Sequence, residues 1–449
     1  MQGLRQSVSV PANLRFFIVQ YQGVVTRDAA ADADAVKFLC LPESIASGSF
    51  CLHCFWQVTG QTYSFTAGQP MDNLREKLYW RISATVARTL EDLMGSRNGF
   101  WNDRKILVTG HTGFKGSWMV TMLSALGCRV TGYALAPNTN PNLFDLLAID
   151  RLLARNEFAN IRDSERLKTV VCESEPELIV HMAAQPLVRF GYADPHTTWD
   201  TNVMGTVNLL EAARACASVR AVVVVTTDKC YENNGSLWGY REIDRLGGHD
   251  PYSASKAASE LVVDSYRRSY FSHAGVLVAS ARGGNVIGGG DWSSDRLIPD
   301  AARAVAQGES LQVRNPGSTR PWQHVLDCVD GYLTLARRLL DGETKCATGY
   351  NFGPEPSSNI TVAELLARVK KAWPELDWRA DVSSAGALHE AAFLYLDSNK
   401  ARRELNWVPK WSIDATVDAT AEWYRAVQAD PQSAASVTER QLQAFLSHG

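Results

Sequence analysis

From residue 104 onward, short apolar runs alternate with stretches whose apolar positions recur every three or four residues. The runs predict strands over 105–109, 129–134, 178–182, 221–226 and 276–281. The periodic stretches predict helices over 117–126, 164–173, 202–216 and 253–270, with Gly127 placed to end the first. Strand and helix in regular alternation predict parallel strands joined by right-handed crossovers, a doubly wound α/β sheet. After about residue 288 the chain turns rich in Gly, Pro, Trp and Arg, then resumes helical patterns over 299–307, 325–340 and 361–372. That change predicts a smaller C-terminal domain closing over the sheet edge. The expected division is 101–287 for the sheet domain, 288–435 for the smaller, partly interleaved one, and 436–449 for a tail.

The first hundred residues follow a different pattern. Weak strand-like stretches cover 8–25, 36–41 and 49–65. Leu74, Leu78, Ile82, Val86, Leu90 and Leu93 predict a helix over 73–94. None of this carries a recognisable chemical motif. An accessory domain, a partner-binding extension and a start placed too far upstream all fit. We favour the last, because Met94 shortly precedes the first core strand.

Composition narrows the classes. The chain has 449 residues, of which 45% are hydrophobic and 21% charged, enough for a sizeable core and more than one domain. A net charge of -3 without a Lys/Arg run gives nothing to draw it to nucleic acid or an anionic membrane. No window reaches the roughly 18 apolar residues of a membrane span. Residues 1–25 lack a basic start followed by an apolar core, so the expected location is cytoplasmic. The nine cysteines read as reduced thiols. Cys51 and Cys54 form a lone CxxC without a second pair, so no metal is expected.

The chemistry begins at Thr109-Gly110-His111-Thr112-Gly113-Phe114-Lys115-Gly116, between the first strand and the first helix. Gly110 permits a tight turn, Gly113 lets backbone approach a pyrophosphate, and Gly116 lets helix pack on strand. The helix N-terminus then offers free N–H groups to phosphate. These features make the sheet Rossmann-type. The second strand, ending Thr131-Gly132-Tyr133-Ala134-Leu135, lacks both the acid that usually holds the ribose and an Arg for a 2′-phosphate. NAD is favoured over NADP.

Tyr252 and Lys256 stand four apart on a predicted helix and share a face. A phenol titrates near 10, so a base near neutrality needs a downward shift of about three units. A Lys ammonium and a cationic nicotinamide ring are charges that could supply it. Thr227-Asp228-Lys229 ends the fourth predicted strand, on the side where open α/β sheets bind ligands. The trio could bind a sugar hydroxyl and move protons; equally, Asp228 could cap a turn.

Taken with His181-Met-Ala-Ala-Gln185-Pro-Leu-Val, Thr201-Asn202-Val-Met-Gly-Thr, Asp228-Lys-Cys-Tyr-Glu-Asn, Gly284-Asn285-Val-Ile-Gly-Gly-Gly-Asp-Trp292 and Arg320-Pro-Trp-Gln-His-Val, these motifs resemble the extended short-chain dehydrogenase/reductase family. Within it they are most similar to the CDP-glucose 4,6-dehydratases, over about residues 100–424. The resemblance implies a redox-neutral dehydration of CDP-glucose by a homodimer, paired through the helices over 202–216 and 253–270. Tyr252 would take the proton of the carbon-4 hydroxyl, Thr227 would bond that oxygen, and Asp228 would protonate the departing carbon-6 hydroxyl. Lys229 stands where dTDP-glucose dehydratases carry a Glu; a Lys is a usable base only with a depressed pKa. Cofactor contacts would come from Gly110, His111, Gly113, Phe114, Lys115, Gly116, Asn160, Ile161, Ala183, Ala184, Gln185, Asn202, Tyr252 and Lys256. Asn285, Arg296, Arg314 and Arg320 would meet the sugar nucleotide, and Trp292 would stack on a base or simply pack. Asn160 replaces an expected Asp near adenine, and Phe190-Gly191 replaces a more polar pair.

Overall fold

The computed structural model describes residues 99–236, 238–381 and 393–447, and, before them, the backbone of four strands. The chain divides into two compact units, Met1–Gly95 and Ser96–Gly449. In the first, β1 (Val8–Val10), β2 (Val36–Ala46), β3 (Ser49–Val58) and β4 (Gln61–Gln69) form an antiparallel sheet in that order. The helix expected over 73–94 lies outside the described residues.

The second unit begins with β5 (Lys105–Thr109), α1 (Phe114–Ala125), β6 (Arg129–Ala134), β7 (Arg155–Phe158), α2 (Ser164–Ser174), β8 (Leu178–His181), α3 (Val188–Ala193) and α4 (Gly205–Ala215). It continues through β9 (Ala221–Thr227), α5 (Pro251–Tyr266), β10 (Leu277–Gly283), β11 (Asn285–Ile287), α6 (Leu297–Gln307), β12 (Leu311–Val313) and β13 (Thr319–His324). Then come α7 (Val325–Leu340), β14 (Gly349–Phe352), β15 (Asn359–Thr361), α8 (Val362–Ala372), β16 (Trp378–Ala380), α9 (Asn399–Leu405), α10 (Ile413–Ala429) and α11 (Ala434–Ser447).

Seven parallel strands make the main sheet, in the order β14-β10-β9-β8-β5-β6-β7. The five strands expected from the sequence are present, and two more complete the sheet. β7 escaped the hydrophobic pattern because Arg155 and Glu157 pair with each other, and with Glu173 and Arg166 across to α2, along an exposed edge. β14 comes from beyond residue 288, so the chain interleaves the two expected domains. Residues 436–447, expected as a tail, are the greater part of α11, and Val437, Leu442, Phe445 and Leu446 are buried.

One layer of the core packs α1 between sheet and α7, with Trp118, Met119, Val120, Met122 and Leu123 of α1 fully buried. The other face buries Val170 and Val171 of α2, Leu209 and Leu210 of α4 and Val263 of α5 against Ile179, Val222 and Val278. The chain runs outward from β5 to β7, then returns to β8 on the other side of β5. That reversal opens a crevice beyond the carboxyl ends of β5 and β8, where ligands bind in open sheets. Among the described residues no helix is long and apolar enough to cross a membrane.

Candidate active site

The crevice deepens into a cavity of about 1380 Å3 that runs from the glycine loop past the ends of β9 and β10 to β12. Its floor is held by Thr109, whose Oγ1 accepts from the backbone N–H of Met182 at 3.0 Å and Ala183 at 3.1 Å. Gly110 adopts a left-handed φ of 75°, and a Cβ there would stand 2.7 Å from the Ala183 nitrogen. At Gly116 a Cβ would fall 2.0 Å from the Gly110 carbonyl oxygen. Gly113 differs: its nearest neighbour would be 3.5 Å away, which leaves space at the N-terminus of α1. The loop thus forms a cradle for a diphosphate, facing backbone N–H groups and the positive helix end.

Asp250 starts α5: its carboxylate accepts from the Ser253 N–H and hydroxyl, and Pro251 follows in the first turn. This sets Tyr252 on the cavity wall one turn before Lys256. Burial pushes the Tyr252 phenol up to about 12, while the Thr227 hydroxyl and the Arg296 charge favour its ionised form. Lys256 does not reach it by a hydrogen bond; its Nζ donates to the Val225 carbonyl at 3.3 Å. Burial first, then the charge of Lys115, bring Lys256 down to about 8. Thr227 and Arg296 pull the Tyr252 phenol down, and burial outweighs them.

Thr227 and Lys229 line the cavity, and Asp228 lies just behind them with 1% of its surface exposed. The Thr227 hydroxyl donates to Asp228 Oδ1 at 2.9 Å, and Lys229 Nζ is 4.0 Å from the same oxygen. Asp228 Oδ2 is buried with no hydrogen-bond partner. Beneath, Glu260 accepts from Thr226, Ser280 and Arg282, which ties the end of β9 to α5 and β10.

Gly110, Gly113, Phe114, Lys115, Gly116, Asn160, Ile161, Ala183 and Ala184 line the cavity, as do Asn285, Arg296, Arg314 and Arg320. Arg296 pairs with Asp291 at 2.9 Å, which holds its guanidinium charged against burial. Trp292 lines the wall and also packs edge-on against Tyr424. Three residues expected at the cofactor stand behind the wall instead. His111 is fully buried and bonds Asn156 of β7 at 2.8 Å. The Gln185 side chain accepts from the Leu187 N–H and donates to Thr198. Asn202 bonds the Gln185 backbone and Ser255. Their short-range partners make them braces of the wall rather than parts of it.

A profile of the GDP-mannose 4,6 dehydratase family matches residues 107–420. The chain belongs to this family. A CDP-glucose 4,6-dehydratase of Salmonella typhimurium (strain LT2) is 44% identical over 333 residues, 73% of this chain and 92% of the relative. A dTDP-glucose 4,6-dehydratase of Shigella flexneri is 27% identical over 348 residues, 72% of this chain and 93% of the relative. Among solved structures, the dTDP-glucose 4,6-dehydratase DesIV of Streptomyces venezuelae, with NAD and TYD bound, superposes with a TM-score of 0.61 at 28% identity, covering 73% of this chain and 99% of that one. A UDP-glucose 4-epimerase of Thermotoga maritima shares the fold, with a TM-score of 0.60 at 22% identity over 72% of this chain and 99% of the other.

Sequence reasoning missed several wall residues of this family member. Asn138 and Thr139 follow β6 and line the cavity beside the glycine loop, where the acid was absent. The polar pair was visible, but not its return to the crevice. Arg189 and Arg314 converge on Asp295, at 3.5 and 3.7 Å. Asp295 sits in the left-handed region at φ 58°, a conformation that no sequence signal marked.

Proposed function

We propose that this protein removes water from CDP-glucose with the help of NAD, giving CDP-4-dehydro-6-deoxyglucose, as a hydro-lyase of deoxysugar biosynthesis. The observation that carries this is the meeting of Tyr252, Thr227 and Lys229 on one wall, with Asp228 behind, in a chain 44% identical to a dehydratase of that name. The Gly110–Gly113–Gly116 cradle fits the cofactor's pyrophosphate, and Asn160 and Ile161 line the part of the cavity suited to its adenosine. Bound there, NAD supplies a hydride acceptor that later returns the hydride.

Tyr252 takes the proton of the carbon-4 hydroxyl; burial raises its phenol, and the Arg296 charge together with the cationic nicotinamide ring, once bound, would favour the phenolate. A ketone at carbon 4 makes the hydrogen on carbon 5 acidic. Lys229, with its side chain on the wall, removes that proton and returns it to the same carbon. Asp228 gives a proton to the hydroxyl leaving carbon 6. Arg296, Arg314 and Arg320 hold the diphosphate, for which a planar guanidinium fork is suited. Asn285 lines the cavity with its amide oxygen unpartnered, which suits it to accept from a sugar hydroxyl. A 4-epimerase on this fold needs no acid for a leaving hydroxyl, so Asp228-Lys229 favours dehydration.

The protein pairs as a homodimer through α4 and α5. Met204, just before α4, is 48% exposed, and Leu261 on α5 is 61% exposed, an apolar surface suited to burial against a second copy.

The test is incubation of the purified protein with NAD and, separately, the CDP, dTDP, UDP and GDP forms of glucose. Loss of one water from CDP-glucose without net reduced nicotinamide is expected. Steady accumulation of reduced nicotinamide, or isomerisation without mass change, would overturn the reading.

A further inference from the structure

We propose that Lys115 is a cation set against the nicotinamide ring, so that the site holds the reduced cofactor more tightly than the oxidised one and draws the hydride off carbon 4. The inference rests on the NAD-dependent reading above, while its test needs no sugar nucleotide.

Lys115 occupies the first turn of α1, where the positive helix end disfavours an ammonium and no acid offsets it. Its side chain lines the cavity. The ammonium does not stay at the glycine loop. A Cβ on Gly283 would stand 3.8 Å from Lys115 Nζ, so the side chain reaches across the crevice to the end of β10. Gly283 is the register partner of Thr227 on β9. The charge therefore lies beside the strand row that carries Thr227. Among the described residues Lys115 makes no hydrogen bond and no ion pair. The buried acids of this region are committed elsewhere: Glu260 to Arg282, Thr226 and Ser280, and Asp228 to the Thr227 hydroxyl. Lys256 is a second buried cation here, and it feels the charge of Lys115.

The chemistry says what this charge faces. The proton and the hydride leave the same carbon–oxygen unit of the sugar. Tyr252 takes the proton, so the ring that takes the hydride must also face Tyr252, while the diphosphate on the Gly113 cradle fixes its other end. Both conditions place the ring over the floor between the glycine loop and the ends of β9 and β10, where the Lys115 ammonium reaches. The oxidised ring carries a positive charge, and the electron pair of the carbon 4–hydrogen bond removes it. Lys115 repels the first state and not the second. Between partly buried groups such repulsion is worth more than in bulk water. Binding and reduction form a closed cycle, so a preference for the reduced form shifts the bound cofactor toward reduction by the same factor. That favours oxidation at carbon 4. The later return of hydride goes to an unsaturated ketone, a stronger acceptor than the first ketone. A lysine serving the diphosphate would instead keep its ammonium at the helix N-terminus beside Gly113.

The experiment measures dissociation constants of NAD, NADH and ADP-ribose by calorimetry for the wild type, Lys115→Met and Lys115→Gln. Circular dichroism melting establishes that each variant is folded. ADP-ribose carries the diphosphate without the ring. The wild type should bind NADH more tightly than NAD. Both variants should tighten NAD by roughly 10- to 100-fold, the scale of one charge–charge repulsion, and leave NADH and ADP-ribose little changed. Equal weakening of all three ligands would assign Lys115 to the diphosphate and overturn the proposal. An unchanged ratio of NAD to NADH affinity overturns it too. So does a wild type that prefers NAD, whatever the variants do. A wild type that binds the cofactors in the expected order but does not dehydrate CDP-glucose overturns the function and not the role of Lys115.

Discussion

The imidazole of His111 lies so close to Gly132 that a Cβ on that glycine would stand 2.6 Å from two ring carbons. The ring bonds Asn156 and packs between Phe144 and Phe158, so it joins the glycine loop to β6 and β7 from beneath. Burial keeps its pKa below the ordinary value, in line with a neutral brace.

Gly132→Ala is therefore expected to strain this layer. Overpacking of this kind costs about 1–3 kcal/mol. Thermal melting of the variant should show a lowered Tm, and an unchanged Tm would mean that His111 moves freely aside.

Tyr252→Phe keeps the ring and removes the base. Turnover should fall by about 1000-fold, the range of lost acid–base catalysis, with CDP binding by calorimetry little changed. Equal loss of binding and turnover would assign Tyr252 to substrate recognition instead.

Asp327 lies buried in the first turn of α7, beside Asp330, and burial first raises its carboxyl to about 7. Its unfolded value is 3.8. Between these values the folded protein holds a proton that the unfolded chain has released. The contribution is therefore present at low pH and lost as pH rises through about 7. Asp327→Asn removes this titration. Calorimetric melting should show a smaller decline in Tm from pH 5 to pH 8 than in the wild type, and parallel declines would refute it.

Met204→Glu combined with Leu261→Glu places charge on the surface proposed to pair two copies. Light scattering after gel filtration should then report a monomer with native circular dichroism. A dimer that persists would move the interface elsewhere.

The alternation of strand and helix, the glycine loop and the Tyr252–Lys256 spacing were legible in the sequence because each follows from local periodicity or from backbone needs within a few residues. So were the five inner strands, whose apolar runs are buried on both faces. Tertiary structure decided the rest. β7 is an edge strand held by ion pairs, and β14 joins the sheet from far along the chain, so neither has a local hydrophobic signal. His111, Gln185 and Asn202 fall within or beside motifs that meet the cavity, yet packing turns them behind its wall. Asp228 and Lys229 follow Thr227 in a 3-10 turn that begins where β9 ends, so the three consecutive residues do not share one direction. That is why the carboxylate lies buried beside a hydroxyl and an ammonium that line the cavity, a placement only the tertiary structure decides.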